Sequence, residues 1–207
     1  MIVYFVRHAS AGQHKASAAK DEKRPLDREG VQQAHQIGRL LAGANIEIDV
    51  VISSPLKRAM QTASLIANEI GYEQKIERDA ALRPEATFDS FRHLLSRYEQ
   101  KDAIMVVGHN PSITDFLSLV LSRGHENELI DFKKGAVARV EMASRKAGTM
   151  QWCITPRLAA SAYEAASPAP SHNGRGNGTS AGIAIKAPKP RRASTSAGAR
   201  RSRTKVR

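Results

Sequence analysis

Residues 2–8 form the stretch Ile-Val-Tyr-Phe-Val-Arg-His, in which five apolar residues run directly into an arginine and a histidine. A run that is apolar at every position and rich in β-branched and aromatic residues predicts a strand buried on both faces, as in a parallel sheet. Runs 49–53 (Asp-Val-Val-Ile-Ser) and 103–107 (Ala-Ile-Met-Val-Val) are further candidates for buried strands, and helical patterns follow them. We therefore expect a three-layer α/β/α sandwich with a mostly parallel sheet, and residues 135–154 predict a hairpin at its antiparallel edge.

Each of the three buried runs is followed by a cationic or imidazole side chain. These are Arg7 and His8 after the first run, Arg58 after the second and His109 after the third. The carboxyl ends of parallel strands share one edge of a sheet, where ligands bind. Arginine binds phosphate oxygens in a bidentate manner, and helix N-termini add N–H donors. The pattern predicts a pocket for a dianionic phosphoryl group.

Taken singly, each of these residues is more often a solvated strand or helix end than a functional group. The functional interpretation depends on the agreement of three independent strand ends.

Ser54-Pro55 and Asn110-Pro111 each predict a helix N-cap followed by proline at the first helical position.

The same residues resemble the signature blocks of the histidine phosphatase superfamily, whose fold is phosphoglycerate mutase-like. Arg7-His8-Ala9 is similar to its Arg-His-Gly signature, with alanine in place of glycine. The other similar blocks are Arg24-Pro25-Leu26-Asp27 with Gly30, Ser53-Ser54-Pro55 with Arg58-Ala59 and Gln61-Thr62, and Val107-Gly108-His109-Asn110. The resemblance covers residues 1–158, and the short length is similar to that of the SixA-type phosphohistidine phosphatases.

The resemblance implies that His8 is a nucleophile that forms a covalent phosphohistidine. Arg7, Arg58 and His109 would bind the phosphoryl oxygens and stabilise their charge. It implies no cofactor, and we expect no metal. Glu85 is the one candidate we name for a general acid, and a solvated loop carboxylate explains it equally well.

The lack of a better general-acid candidate than Glu85 favours an imidazole leaving group over an alkoxide. Imidazole has a pKa near 6.5 and therefore needs less help from protonation. We therefore expect phosphohistidine in a protein as the substrate. The alternatives are a small-molecule phosphomonoesterase of the same superfamily and a non-catalytic phosphate- or polyanion-binding protein. A mutase is less favoured, because it must retain the phosphoryl group under a closing lid.

The positive charge is concentrated in the last part of the chain. Of the formal net charge of +12, residues 157–207 carry +10 and residues 1–156 carry +2. We expect a phosphatase domain at 1–158 and a disordered basic tail at 159–207, rich in Ala, Ser, Pro and Gly, that can bind polyanions without sequence preference. A single cysteine, Cys153, excludes an intrachain disulfide. No apolar run is long enough for a membrane span, so we expect no membrane partner and a cytoplasmic location.

Overall fold

The computed structural model describes residues 1–14, 17–123, 125 and 130–166. The strands are β1 (Ile2–Arg7), β2 (Val50–Ser53), β3 (Glu77–Arg78), β4 (Ala103–Gly108), β5 (Val137–Ser144) and β6 (Ala147–Ile154). The helices are α1 (Ala18–Glu22), α2 (Arg28–Gly43), α3 (Lys57–Glu69), α4 (Phe88–Ser96), α5 (Ser112–Leu121) and α6 (Pro156–Ala166), with a 3₁₀ helix at Ala80–Leu82.

The six strands of the described chain form one sheet in the order β3-β2-β4-β1-β5-β6. β1 pairs in parallel with β4, β4 with β2, and β2 with β3, whereas β5 runs antiparallel to β1 and β6 antiparallel to β5. The predicted fold class, a mostly parallel sheet with an antiparallel edge, is confirmed. The topology places the carboxyl ends of β1, β2 and β4 side by side.

The central strands are buried on both faces because helices cover each side of the sheet. Val3 and Phe5 of β1 point into a core that they share with α4 and α5, where the Phe5 and Phe91 rings lie 5.5 Å apart. Tyr4 and Val6 point to the other side, into a core shared with α2, α3 and α6. Alternate residues of one strand thus fill two cores, which explains why the strand is apolar at every position.

The predicted cap at Ser54 is wrong in its details. Helix α3 begins at Lys57, its N-cap position is Leu56, and no side chain caps it. The Ser54 hydroxyl instead contacts His109. The other predicted cap differs in the same way, because Pro111 takes the N-cap position of α5. A tertiary contact has replaced local capping at Ser54, whereas the side-chain oxygen of Asn110 accepts a local hydrogen bond from the Thr114 hydroxyl at 2.7 Å.

The predicted domain end at residue 158 is too early. Helix α6 continues to Ala166, and its Ala159 is buried in the core beside α2. Alanine-rich helices bury little surface per residue, so the sequence pattern gives only a weak signal there. Residues 167–207, which hold most of the predicted tail, lie outside the described residues. Among the described helices, none has the length and apolar character needed to cross a membrane.

Candidate active site

The sheet brings the predicted site residues together at one edge. Arg7 is the register partner of Gly108, and the His8 backbone N–H donates to the Gly108 carbonyl at 2.9 Å. The backbone N–H of Ser54 donates to the Val107 carbonyl at 2.9 Å. The loops after β1, β2 and β4 are therefore fixed side by side by backbone hydrogen bonds.

His8 is 8% exposed, and both of its ring nitrogens have a defined contact. Nδ1 lies 2.7 Å from the Ala9 carbonyl oxygen, and Nε2 lies 3.3 Å from Nε of Arg58. A carbonyl oxygen can only accept, so Nδ1 must carry the proton when the ring is neutral. The lone pair is then on Nε2, where the Arg58 N–H donates to it.

Arg58 is held by an acidic partner that the sequence analysis did not identify. Its Nη1 donates to the Asp21 carbonyl at 3.0 Å and to Asp21 Oδ2 at 3.2 Å. Asp21 also accepts from Nε of the buried Arg24 at 2.8 Å. One carboxylate therefore orients two guanidinium groups of the site. Asp21 lies on the five-residue helix α1, which is too short for periodicity to reveal it.

His109 lies beside His8, with ring centroids 4.8 Å apart. It is 1% exposed. Its Nε2 lies 2.8 Å from Oγ of Ser54, and its Nδ1 has no hydrogen-bond partner among the described residues. An unpaired polar atom in this position is suited to a ligand that binds between the two imidazoles.

Arg7 is half-buried at the end of β1. Its Nη1 donates to the Phe132 carbonyl at 2.8 Å, and its buried Nε has no partner in the described part of the chain. Its charge is close enough to contribute to the lowered pKa of His8. The structure thus brings together Arg7, His8, Arg58 and His109.

Glu85, by contrast, lies at the rim of this pocket. Its side chain is 66% exposed, and its Oε1 lies 3.4 Å from Nη1 of Arg83. The same Arg83 nitrogen lies 2.8 Å from Oε1 of Glu22 on α1. Glu22 is therefore a second carboxylate that contacts Arg83, and the sequence pattern does not reveal it.

The block from Arg24 to Gly30 shapes the loop that follows His8. Asp27 caps α2 through Gly30, and its other oxygen accepts from Ser10 Oγ at 2.8 Å. A Cβ atom on Gly30 would lie 1.9 Å from the Ser10 carbonyl oxygen, so only glycine allows α2 to approach this loop. Ala9 is not among the residues with positive φ, so alanine is accommodated in place of glycine.

Burial and positive charge keep both imidazoles neutral. Burial lowers the pKa of His8 to about 3, and the charges of Arg58, Arg7 and Arg24 act in the same direction. Burial likewise lowers the pKa of His109 to about 2, with further contributions from His8 and the nearby arginines. A neutral imidazole with a free Nε2 lone pair in a cationic pocket can attack a phosphorus atom.

Comparisons with known proteins agree with this geometry. Residues 3–91 match the family model of the histidine phosphatase superfamily, branch 1. The phosphohistidine phosphatase SixA of Escherichia coli (strain K12) is 29% identical over 162 residues, which cover 75% of this chain and 94% of that protein. A solved structure of the protein histidine phosphatase SixA complexed with tungstate is 25% identical, with a TM-score of 0.67 over 76% of this chain and 98% of that chain. The phosphoglycerate mutase of Bacillus anthracis str. Sterne, at 14% identity and a TM-score of 0.57 over 77% of this chain and 95% of that chain, shares the fold.

Proposed function

We propose that this chain, whose residues 3–91 match the histidine phosphatase superfamily and which resembles the SixA-type members, removes phosphoryl groups from phosphohistidine in proteins. The family-model match and the SixA similarity support phosphatase activity, and we propose phosphohistidine as the substrate. One observation carries it: the hydrogen bond from His8 Nδ1 to the Ala9 carbonyl leaves the Nε2 lone pair available in a pocket of arginines. The SixA structure holds tungstate, a tetrahedral oxyanion like phosphate.

The reaction proceeds in two displacements at phosphorus. In the first, the Nε2 lone pair of His8 forms a P–N bond while the bond from phosphorus to the leaving group breaks. The leaving group departs with the electron pair of that bond and then takes a proton. In the second, water attacks phosphorus, the P–N bond breaks, and its electron pair returns to Nε2 as inorganic phosphate forms.

The cationic groups around His8 stabilise the charge on the transferring phosphoryl group. Arg58 donates to Nε2 of His8, and this donor must turn to a phosphoryl oxygen when the lone pair attacks. Arg7 Nε and His109 Nδ1, which lack partners among the described residues, supply further donors. Apart from the turn of the Arg58 donor, these groups are already in place and stabilise the transition state with little reorganisation. We expect this arrangement to operate without a metal, so a chelator should leave turnover unchanged.

The rim of the pocket supports phosphohistidine over an alkyl phosphate. Glu85 is exposed and paired with Arg83, which is a poor setting for protonating a leaving alkoxide. An imidazole leaving group has a much lower pKa and needs less help. A small-molecule phosphomonoesterase and a non-catalytic phosphate-binding protein remain the alternatives.

A dephosphorylation panel tests the proposal. The wild-type chain and His8→Ala are incubated with a histidine-phosphorylated carrier protein, a sugar phosphate and an aryl phosphate. We expect the carrier protein to give the largest kcat/KM, with no turnover by His8→Ala. A preference for the sugar phosphate would identify a phosphomonoesterase. No turnover of any of the three, with phosphate still binding, would identify a binding protein.

The tail and the location of the protein are separate proposals. Residues 167–207 are basic and contain no aromatic residue for stacking on bases, so we propose binding to polyanions without sequence preference. A cytoplasmic location stays a prediction.

A further inference from the structure

Ser54 and His109 form a hydrogen-bonded pair inside the pocket. The proposed reaction gives the Ser54 hydroxyl no role, and this hydroxyl does not cap helix α3. The Ser54 side chain is fully buried, and its Oγ lies 2.8 Å from Nε2 of His109. The backbone of Ser54 is fixed on β4 through the Val107 carbonyl, so the hydroxyl has a defined position.

The available donors and acceptors favour one direction for the hydrogen bond between Ser54 and His109, with the serine hydroxyl as the donor. Ser54 Oγ accepts from the Leu56 backbone N–H at 3.4 Å, and its own proton needs an acceptor. Among the described residues, the only acceptor in contact with this hydroxyl is His109 Nε2. If Nε2 were protonated instead, the hydroxyl proton would be buried without an acceptor, at a cost of about 1–3 kcal/mol.

The surroundings of the other ring nitrogen of His109, Nδ1, favour the same tautomer. Nδ1 of His109 is buried without a partner in the described structure, beside the ring of His8. A bare Nδ1 lone pair would repel an anionic phosphoryl oxygen, whereas an N–H there would bind it. The lack of a partner for Nδ1 within the described structure is explained if Nδ1 carries a proton that a phosphoryl oxygen can accept.

We infer that Ser54 is a positioning residue: its hydroxyl donates to His109 Nε2 and fixes the tautomer in which Nδ1–H faces the transferring phosphoryl group. The effect of Ser54 on rate rests on the proposed function, but the tautomer does not. Ser54 itself does not contact the phosphorus atom. It acts by ensuring that a neutral imidazole is always a donor on the pocket side.

The tautomer can be measured directly. In the wild-type chain with ¹⁵N-labelled histidine, two-bond ¹H–¹⁵N correlation spectra at neutral pH report which ring nitrogen carries the proton. We expect Nδ1 of His109 to be protonated. A protonated Nε2 overturns the inference whether or not the protein turns over phosphohistidine, so its failure is distinct from that of the proposed function.

Kinetics provide the second test, with a matched control. Ser54→Ala should lower kcat/KM by about 10-fold or more, as expected when one transition-state donor is weakened. Ser53→Ala removes an equally buried neighbouring hydroxyl, which donates to the Ser54 carbonyl at 3.0 Å, and should change kcat/KM less than about threefold.

A double-mutant cycle separates positioning from packing. Asn in place of His109 can offer an amide donor near the Nδ1 position without any tautomer to fix. In the His109→Asn background, Ser54→Ala should therefore have little further effect on kcat/KM. An equal loss in both backgrounds would show that Ser54 acts only through packing and would contradict the inference.

Discussion

Nε of Arg58 lies 3.3 Å from Nε2 of His8, and both side chains are buried. A guanidinium that donates to an imidazole lone pair excludes a proton from that nitrogen. The pair also keeps Nε2 of His8 directed at the Arg58 guanidinium. His8 is therefore neutral, oriented and adjacent to a group that can bind the phosphoryl oxygens.

Arg58→Ala should lower kcat/KM by about 100-fold or more, because it removes an electrostatic donor to the transition state. Arg58→Lys should restore only part of the rate, since an ammonium cannot replace the planar guanidinium fork that Asp21 orients. Steady-state kinetics on phosphohistidine protein measure both. Arg39→Ala, on the exposed side of α2, is the control for the loss of one positive charge. Full activity of Arg58→Lys would contradict bidentate binding of phosphoryl oxygens by Arg58.

Glu85→Gln should slow hydrolysis of an alkyl phosphate more than that of phosphohistidine, because only the alkoxide depends strongly on protonation. The measurement is the ratio of the two kcat/KM values. Glu22→Gln is the matched control, since Glu22 pairs with the same Arg83 nitrogen. Equal losses on both substrates for Glu85→Gln would exclude Glu85 as the acid.

The stability of the protein should fall as the pH falls below 6.5. The pKa of His8 is about 3 in the folded protein, against an ordinary value of 6.5, so between these values the unfolded chain binds more protons. Stability is therefore fully present above pH 6.5 and decreases towards pH 3, by about 2 kcal/mol per such histidine between about pH 7 and pH 5. Urea denaturation at both pH values measures this loss.

The His8→Gln variant should lose correspondingly less stability over the same pH interval. The exposed His93 on α4 provides the matched control substitution, His93→Gln. If His8→Gln were as sensitive to pH as the wild type, the neutral buried state of His8 would be refuted.

Truncation after Ala166 should leave a folded and active domain, because all of the candidate site residues and helix α6 lie before that point. It removes most of the positive charge and should therefore remove most affinity for DNA or RNA. Binding by the full chain should weaken steeply between about 50 and 200 mM salt, which a fluorescence titration at both salts detects. Equal binding by both chains would assign the polyanion site to the domain.

The sequence predicted the parts of the site that follow directly from the strands. His8, Arg58 and His109 come at strand ends, and the shared edge of a parallel sheet brings such residues together. The sequence pattern does not reveal Asp21, because α1 has only five residues and the contact between Asp21 and Arg58 joins positions 37 residues apart in the chain. Local capping rules predict a helix cap at Ser54, because they cannot anticipate that its hydroxyl contacts a histidine 55 positions later in the chain.

A trapped intermediate tests the central claim most directly. The protein is mixed with ³²P-labelled phosphohistidine carrier protein, quenched within milliseconds and analysed by peptide mapping. We expect a phosphoryl group on His8 that is labile in acid and stable in alkali, formed and consumed at rates consistent with kcat and absent from His8→Ala. Turnover with no phosphorylated His8, or with the label on another residue, would contradict the role of His8 as the nucleophile.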